Sequence, residues 1–162
     1  MATLQTGAST RSSGVVRPLL TGLVIVVTLF LLLSHLSDYP RPWYDEGSHL
    51  HVAKNYALNG VYADSSSEGY RAFGPAIGVG PTIMLPVALL FKLFGVSIPL
   101  ARLVIVAYSL LTLFVLYFIV QRFASWQYAL LAVVLLVGVP SIGYTFYSRT
   151  VVGEVPGIFF LL

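Results

Sequence analysis

Five of the chain's six carboxylates, Asp38, Asp45, Glu46, Asp64 and Glu68, lie between Ser37 and Arg71, and the sixth, Glu154, stands far downstream. A positioned carboxylate can take a proton as a general base. Asp45-Glu46-Gly47-Ser48 can cap and open a helix. Leu50, Ala53, Tyr56 and Ala57 recur at three- and four-residue spacing, and Asn59-Gly60 supplies a stop, so the pattern predicts a short amphipathic helix over 46–58. Its dipole favours the ionised form of both acids. Asp45 and His49, four residues apart, share one face.

Each of these residues also has a plain structural explanation. Asp45 can be an N-cap and Glu46 a first-turn acid. His49 and His51 read as interfacial side chains, because no third ligand falls at a metal-binding spacing. Tyr62–Gly69 has the composition of a flexible polar loop. Glu154 sits in Ser148-Arg149-Thr150-Val151-Val152-Gly153-Glu154-Val155-Pro156, an acid at a helix start among apolar residues. Carrying it to a bilayer centre would cost ~2.5–3.5 kcal/mol. Either Arg149 neutralises it, or it faces a hydrated pocket shared with Asp45.

The elements that must hold these residues are apolar. The chain has 162 residues, 57% of them hydrophobic and only 9% charged. A soluble domain carries about 25% charged residues. That excludes a soluble enzyme, a disordered tail and a disulfide-stapled secreted domain, and leaves an all-α, polytopic transmembrane protein. The nine Lys and Arg residues are scattered between apolar runs, which excludes a nucleic-acid surface. The absence of cysteine removes thiol chemistry.

Leu19–Leu36 spans ~27 Å at ~1.5 Å per residue, close to the ~30 Å hydrocarbon core, and Arg11 and Arg17 precede it. The first span is therefore predicted over 18–36 with residues 1–17 as a cytoplasmic tail. Leu103–Val120 and Phe123–Ser148 are the next apolar runs, parted by Gln121 and Arg122. Val155–Leu162 covers only ~12 Å and reads as a truncated span. Ala72–Phe91 is free of charge but holds Gly74, Gly78, Gly80, Pro75, Pro81 and Pro86, which suits an interfacial helix better than a span. The positive-inside count narrowly prefers the opposite, that it crosses.

Trp43-Tyr44-Asp45-Glu46, the helix ending Ala57-Leu58-Asn59-Gly60, Gly80-Pro81-Thr82, Leu93-Phe94-Gly95, Ala101-Arg102-Leu103 and Ser148-Arg149 with Gly153-Glu154-Val155-Pro156 resemble one family as an ordered set. The chain resembles the N-terminal region of the GT-C glycosyltransferases, closest to the protein O-mannosyltransferase-like enzymes, which include the aminoarabinose transferases of lipid A modification. The likeness runs from about Leu19 to the end and covers only the front of a longer family chain.

The resemblance implies inverting transfer of a sugar from a polyprenyl-phosphate donor to a lipid or protein acceptor hydroxyl. The reaction would sit on the outer face of a multi-pass protein in a prokaryotic cytoplasmic membrane. Asp45 would be the base acting on the acceptor, Glu46 would orient it or bind sugar hydroxyls, and Glu154 would be the second acid. Arg102 and Arg149 are the candidate cations for the leaving phosphate, with His49 among the substrate contacts. No cofactor is required; some members use a divalent metal, but nothing in the residues compels one. For the acids to meet, 37–98 and 145–155 must both be external, with 75–94 a juxtamembrane helix, spans at 99–120 and 126–144, a cytoplasmic turn at Arg122 and a truncated span at 156–162. All six acids then lie outside. The 162 residues alone are not expected to be active. The competing reading is a non-catalytic membrane protein, a transporter subunit or accessory protein, in which Glu154 pairs with Arg149.

Overall fold

A computed structural model of the chain describes residues 12–72 and 79–162. Arg11 of the predicted tail, and Gly74, Pro75 and Gly78 of the predicted interfacial segment, lie outside these residues. The described chain is mostly helical, with seven α-helices and one small hairpin. Helix α1 (Ser12–Leu33) is followed by α2 (Tyr44–Asn59), strands β1 (Ala63–Ser66) and β2 (Gly69–Ala72), then α3 (Pro81–Phe94), α4 (Ile98–Phe123) and α5 (Trp126–Gly138). A 3-10 turn at Pro140–Ile142, a single turn α6 (Tyr144–Tyr147) and α7 (Glu154–Leu161) complete it.

Among the described residues two helices are long and apolar enough to cross a membrane: Val15–Leu33 within α1, and α4, whose 26 residues reach ~39 Å. On α1, Leu19, Leu23, Val26 and Phe30 are all more than half exposed, and Phe114 and Phe118 are likewise exposed on α4. Apolar surface on this scale is what a water-soluble monomer avoids. The hydroxyls inside α4 are satisfied locally. Ser109 Oγ donates to the Ile105 carbonyl and Thr112 Oγ1 to the Tyr108 carbonyl, each at 2.8 Å.

Helix α3 lies between α2 and α4. Its inner face (Ile83, Met84, Val87, Ala88, Phe91) meets Ala53 of α2 and Ala101, Val104 and Ile105 of α4 in the main core cluster. The opposite face presents Leu85, Leu89, Leu93 and Phe94 outward. With Pro81 at its first position and Gly95 after its last, the helix is 14 residues and ~21 Å long. Pro86 is accommodated within it.

Several predicted boundaries are corrected. Helix α2 begins two residues before 46, with extended Trp43 at the N-cap and no side-chain cap, so Asp45 sits in the first turn and is not the cap. Its end matches the expectation: Gly60 adopts φ +70° and its N–H reaches the Tyr56 carbonyl at 3.0 Å. The buried face of α2 is Glu46, His49, Val52, Ala53 and Asn55, rotated from the predicted Leu50–Ala53–Tyr56–Ala57 stripe, and Tyr56 is exposed. Residues 62–69 are not a plain loop, since β1 and β2 pair antiparallel with Asp64 opposite Arg71. The predicted third span, 126–144, is not one helix. Helix α5 stops at Gly138 after ~20 Å because Val139 precedes Pro140 and takes an extended conformation. Thr145 Oγ1 donates to the Val137 carbonyl at 2.7 Å, giving the interrupted helix end a partner.

Candidate functional site

The first turn of α2 places Glu46 inward, one residue after Asp45. Arg102, the fifth residue of α4, is fully buried, as is Glu46. Arg102 Nε donates to Glu46 Oε1 and Nη2 to Oε2, both at 2.8 Å, a bidentate pair. Arg102 also donates from Nη1 to the Leu36 carbonyl at 2.8 Å and from Nη2 to the Pro40 carbonyl at 2.7 Å. Glu46 Oε1 accepts a further bond from the Val151 N–H at 3.1 Å. His49 Nδ1 lies 2.8 Å from the Val151 carbonyl. One ion pair thus ties together the segment after α1, the starts of α2 and α4, and the loop before α7.

This arrangement changes the roles expected for three residues. Glu46 has both oxygens committed and no exposed surface, so it neither orients Asp45 nor reaches a sugar hydroxyl. Arg102 spends its donors on Glu46 and two backbone carbonyls, so a phosphate could reach it only by dismantling the clamp. His49 is buried against Val151 and braces the same loop, which removes it from the substrate contacts.

Of the other three, Asp45 and Glu154 stay exposed and Arg149 is buried. Asp45 is exposed beside buried Glu46, and Glu154 is exposed at the first position of α7, where a helix N-terminus favours an ionised acid. Arg149 lies in the loop that the clamp holds. Its Nη2 donates to the Ser34 carbonyl, and its guanidinium sits 5.3 Å from the centre of the Tyr39 ring. No ion pair joins Arg149 to Glu154 among the described residues, so the pairing on which the non-catalytic reading rested is not formed. Arg149 Nε is buried without a hydrogen-bond partner. Burial, and then the nearby charge of Arg102, pull its pKa below the ordinary arginine value, against a smaller opposing effect of Tyr39. Arg149 is thus a buried guanidinium repelled by Arg102, and no carboxylate pairs with it among the described residues.

A second polar cluster went unnoticed in the sequence. His51 Nε2 is 2.8 Å from Ser65 Oγ, and His51 Nδ1 is 3.3 Å from Asp64 Oδ1. The order hydroxyl, imidazole, carboxylate is that of an activated nucleophile. Here, however, each member also holds the hairpin in place. Asn55 Nδ2 donates to the Ala63 carbonyl at 2.8 Å and to Ser65 Oγ at 3.3 Å, while Asp64 accepts from the Ser65 N–H and from Arg71. The network fastens β1 to α2. The signal for it was the His51–Asn55 spacing of four on one helix face, directly before a Ser-rich stretch. Beside it, a cavity of about 280 Å³ is lined by Gly47, His51, Lys54, Phe91 and Val96. Among the described residues no three His, Asp or Glu side chains are grouped to hold a metal ion. No family model matches the chain, and no curated protein or solved structure matches it either.

Proposed function

We propose that the chain is the acidic half-site of a multi-pass membrane glycosyltransferase of the GT-C type, acting on a polyprenyl-phosphate sugar at the outer face of the membrane. One observation carries this reading. The Glu46–Arg102–Val151 clamp brings the start of α2 and the loop before α7 together at the end of α1. The two exposed acids, Asp45 and Glu154, each begin a helix next to that junction. The same contact supports a one-sided topology. Arg102 at the start of α4 bonds to Leu36 and Pro40 just beyond α1, and α3, at ~21 Å, falls short of a ~30 Å core.

In this reading Asp45 takes the proton from the acceptor hydroxyl as its oxygen attacks the anomeric carbon, and the bond from that carbon to the lipid phosphate breaks. Arg149, with an unpartnered buried Nε and no carboxylate paired to it among the described residues, is the cation for the departing phosphate. Glu154 lies at the same junction and binds or orients the sugar. Glu46 and Arg102 are positioning residues that hold the two loops in register.

The test is transfer of a radiolabelled sugar from polyprenyl phosphate in membranes carrying the complete natural polypeptide. Asp45→Asn is expected to lose at least about 100-fold in activity, the lower range for removing a general base, and Glu154→Gln to lose activity through weaker binding or orientation of the sugar. Both side chains are exposed, so folding should be unaffected. Full transfer by both variants would refute the assignment and favour a non-catalytic membrane protein.

A further inference from the structure

Between α1 and the α4–α5 pair runs an apolar groove of about 860 Å³, away from the clamp. Leu29, Gly22, Phe114, Tyr117 and Val133 line it, and Arg17 stands at its end. Arg17 is 16 residues, ~24 Å, before the end of α1, and Tyr117 is 15 residues, ~22 Å, beyond Arg102 on α4. The Arg17–Tyr117 contact, 3.4 Å from Nη2 to the phenol oxygen, therefore marks the opposite boundary of the apolar layer from the clamp. Among the described residues no carboxylate pairs with Arg17. Every acid in the sequence lies in 38–68 or at Glu154, on the elements gathered around the clamp end. The groove extends from Arg17 to Leu29, ~18 Å along α1, about one leaflet of a ~30 Å core.

We infer that this groove binds one acyl chain of an anionic phospholipid from the leaflet opposite the clamp, with the lipid phosphate on Arg17. Length argues for a lipid tail over a transmembrane helix, which would need a groove of full bilayer depth. Charge argues against a second copy of this chain in the same membrane orientation, since it would bring Arg17 and Arg122 to that boundary and no acid to pair with them. The site is distinct from any donor site at the clamp, because its cation lies at the other end of the helices. The inference rests on the membrane reading of α1 and α4 and not on the proposed sugar transfer.

Native mass spectrometry of the detergent-solubilised full chain, titrated with phosphatidylglycerol or phosphatidylcholine, tests it. The wild type is expected to hold one phosphatidylglycerol about fivefold more tightly than phosphatidylcholine, the gain typical of one arginine at an anionic lipid surface. Arg17→Gln should abolish the preference while leaving some binding of both lipids. Arg122→Gln removes another cation at the same end of α4, ~7.5 Å beyond Tyr117 and outside the groove lining, and should retain the preference. Gly22→Phe should weaken both lipids, since a side chain there projects into open space that the groove provides. Equal binding of the two lipids by the wild type would overturn the inference. So would an Arg122→Gln effect as large as that of Arg17→Gln, undiminished binding by Gly22→Phe, or a dimer that excludes lipid.

Discussion

Replacing Glu46 with glutamine keeps the shape of the clamp and removes its negative charge. Arg102 is then a guanidinium with no exposed surface and no counter-charge, and the glutamine amide must turn a donor toward one of its N–H groups. Removing one partner of a buried pair costs about 3–5 kcal/mol, far more than the net worth of the intact pair, because the remaining charge cannot return to water. At about 2–4 °C per kcal/mol for a chain of this size, the midpoint of thermal unfolding should fall by about 6–20 °C. Arg102→Met should fall further. It strands Glu46 and also deprives the Leu36 and Pro40 carbonyls of their donor, at about 1–3 kcal/mol each. The double variant Glu46→Gln/Arg102→Met removes both charges, so only the carbonyl penalties remain and its loss should be smaller than the sum of the single losses. Thermal unfolding in one fixed detergent, followed by the fluorescence of Trp43 and Trp126, reads all three proteins. A shift below 2 °C for Glu46→Gln, or additivity within about 0.5 kcal/mol, would refute the clamp. If Arg102 were instead a phosphate ligand, Glu46→Gln would free it and tighten polyprenyl-phosphate binding without destabilising the chain.

Three further outcomes are expected. Arg149→Gln loses the bond to the Ser34 carbonyl and the Tyr39 ring contact but also removes a buried unpartnered Nε and the repulsion from Arg102, so the unfolding midpoint should fall far less than for Arg102→Met while sugar transfer falls; a loss of stability comparable to that of Arg102→Met would refute its assignment to the phosphate. Asn55→Ala should cost about 1–3 kcal/mol and expose the 63–72 hairpin to limited proteolysis, since the Ala63 carbonyl loses its donor; unchanged cleavage would show that the hairpin is held by other contacts. The chain has no cysteine, so Ser67→Cys and Glu154→Cys can be labelled without background; both should react with a membrane-impermeant maleimide added from the same side, and opposite accessibility would exclude a shared site.

Much of the frame was legible without coordinates. Helices α1 and α4 follow from apolar runs whose length alone matches a bilayer, and the end of α2 follows from a glycine that accepts a left-handed conformation. Pro140 is equally visible, yet hydropathy predicts the third apolar run as one continuous span. Composition over 123–148 is apolar throughout, and hydropathy does not register the backbone bond that a proline deletes. The face of α2 was misread for a different reason. Counting apolar residues selects Leu50, Ala53, Tyr56 and Ala57, but the side that turns inward carries Glu46, His49 and Asn55, polar groups whose burial depends on partners elsewhere.

The candidate site divides along the same line. The sequence by itself determined which residue types are scarce and where they lie: a cysteine-free apolar chain with its acids confined to two short segments. It also sufficed to single out Asp45, Glu46, Arg102, Arg149 and Glu154. What it could not assign was which of two adjacent acids is spent on structure. Asp45 and Glu46 are neighbours with the same chemistry, and on a helix they point in directions about 100° apart. Which one meets a counter-ion depends on Arg102, 56 residues later, and on Val151, 105 residues later. Local propensity contains no information at that range. Tertiary structure decides it, because a buried carboxylate is tolerated only where a guanidinium and a backbone N–H converge on it, and that convergence exists only once α2, α4 and the loop before α7 have packed together.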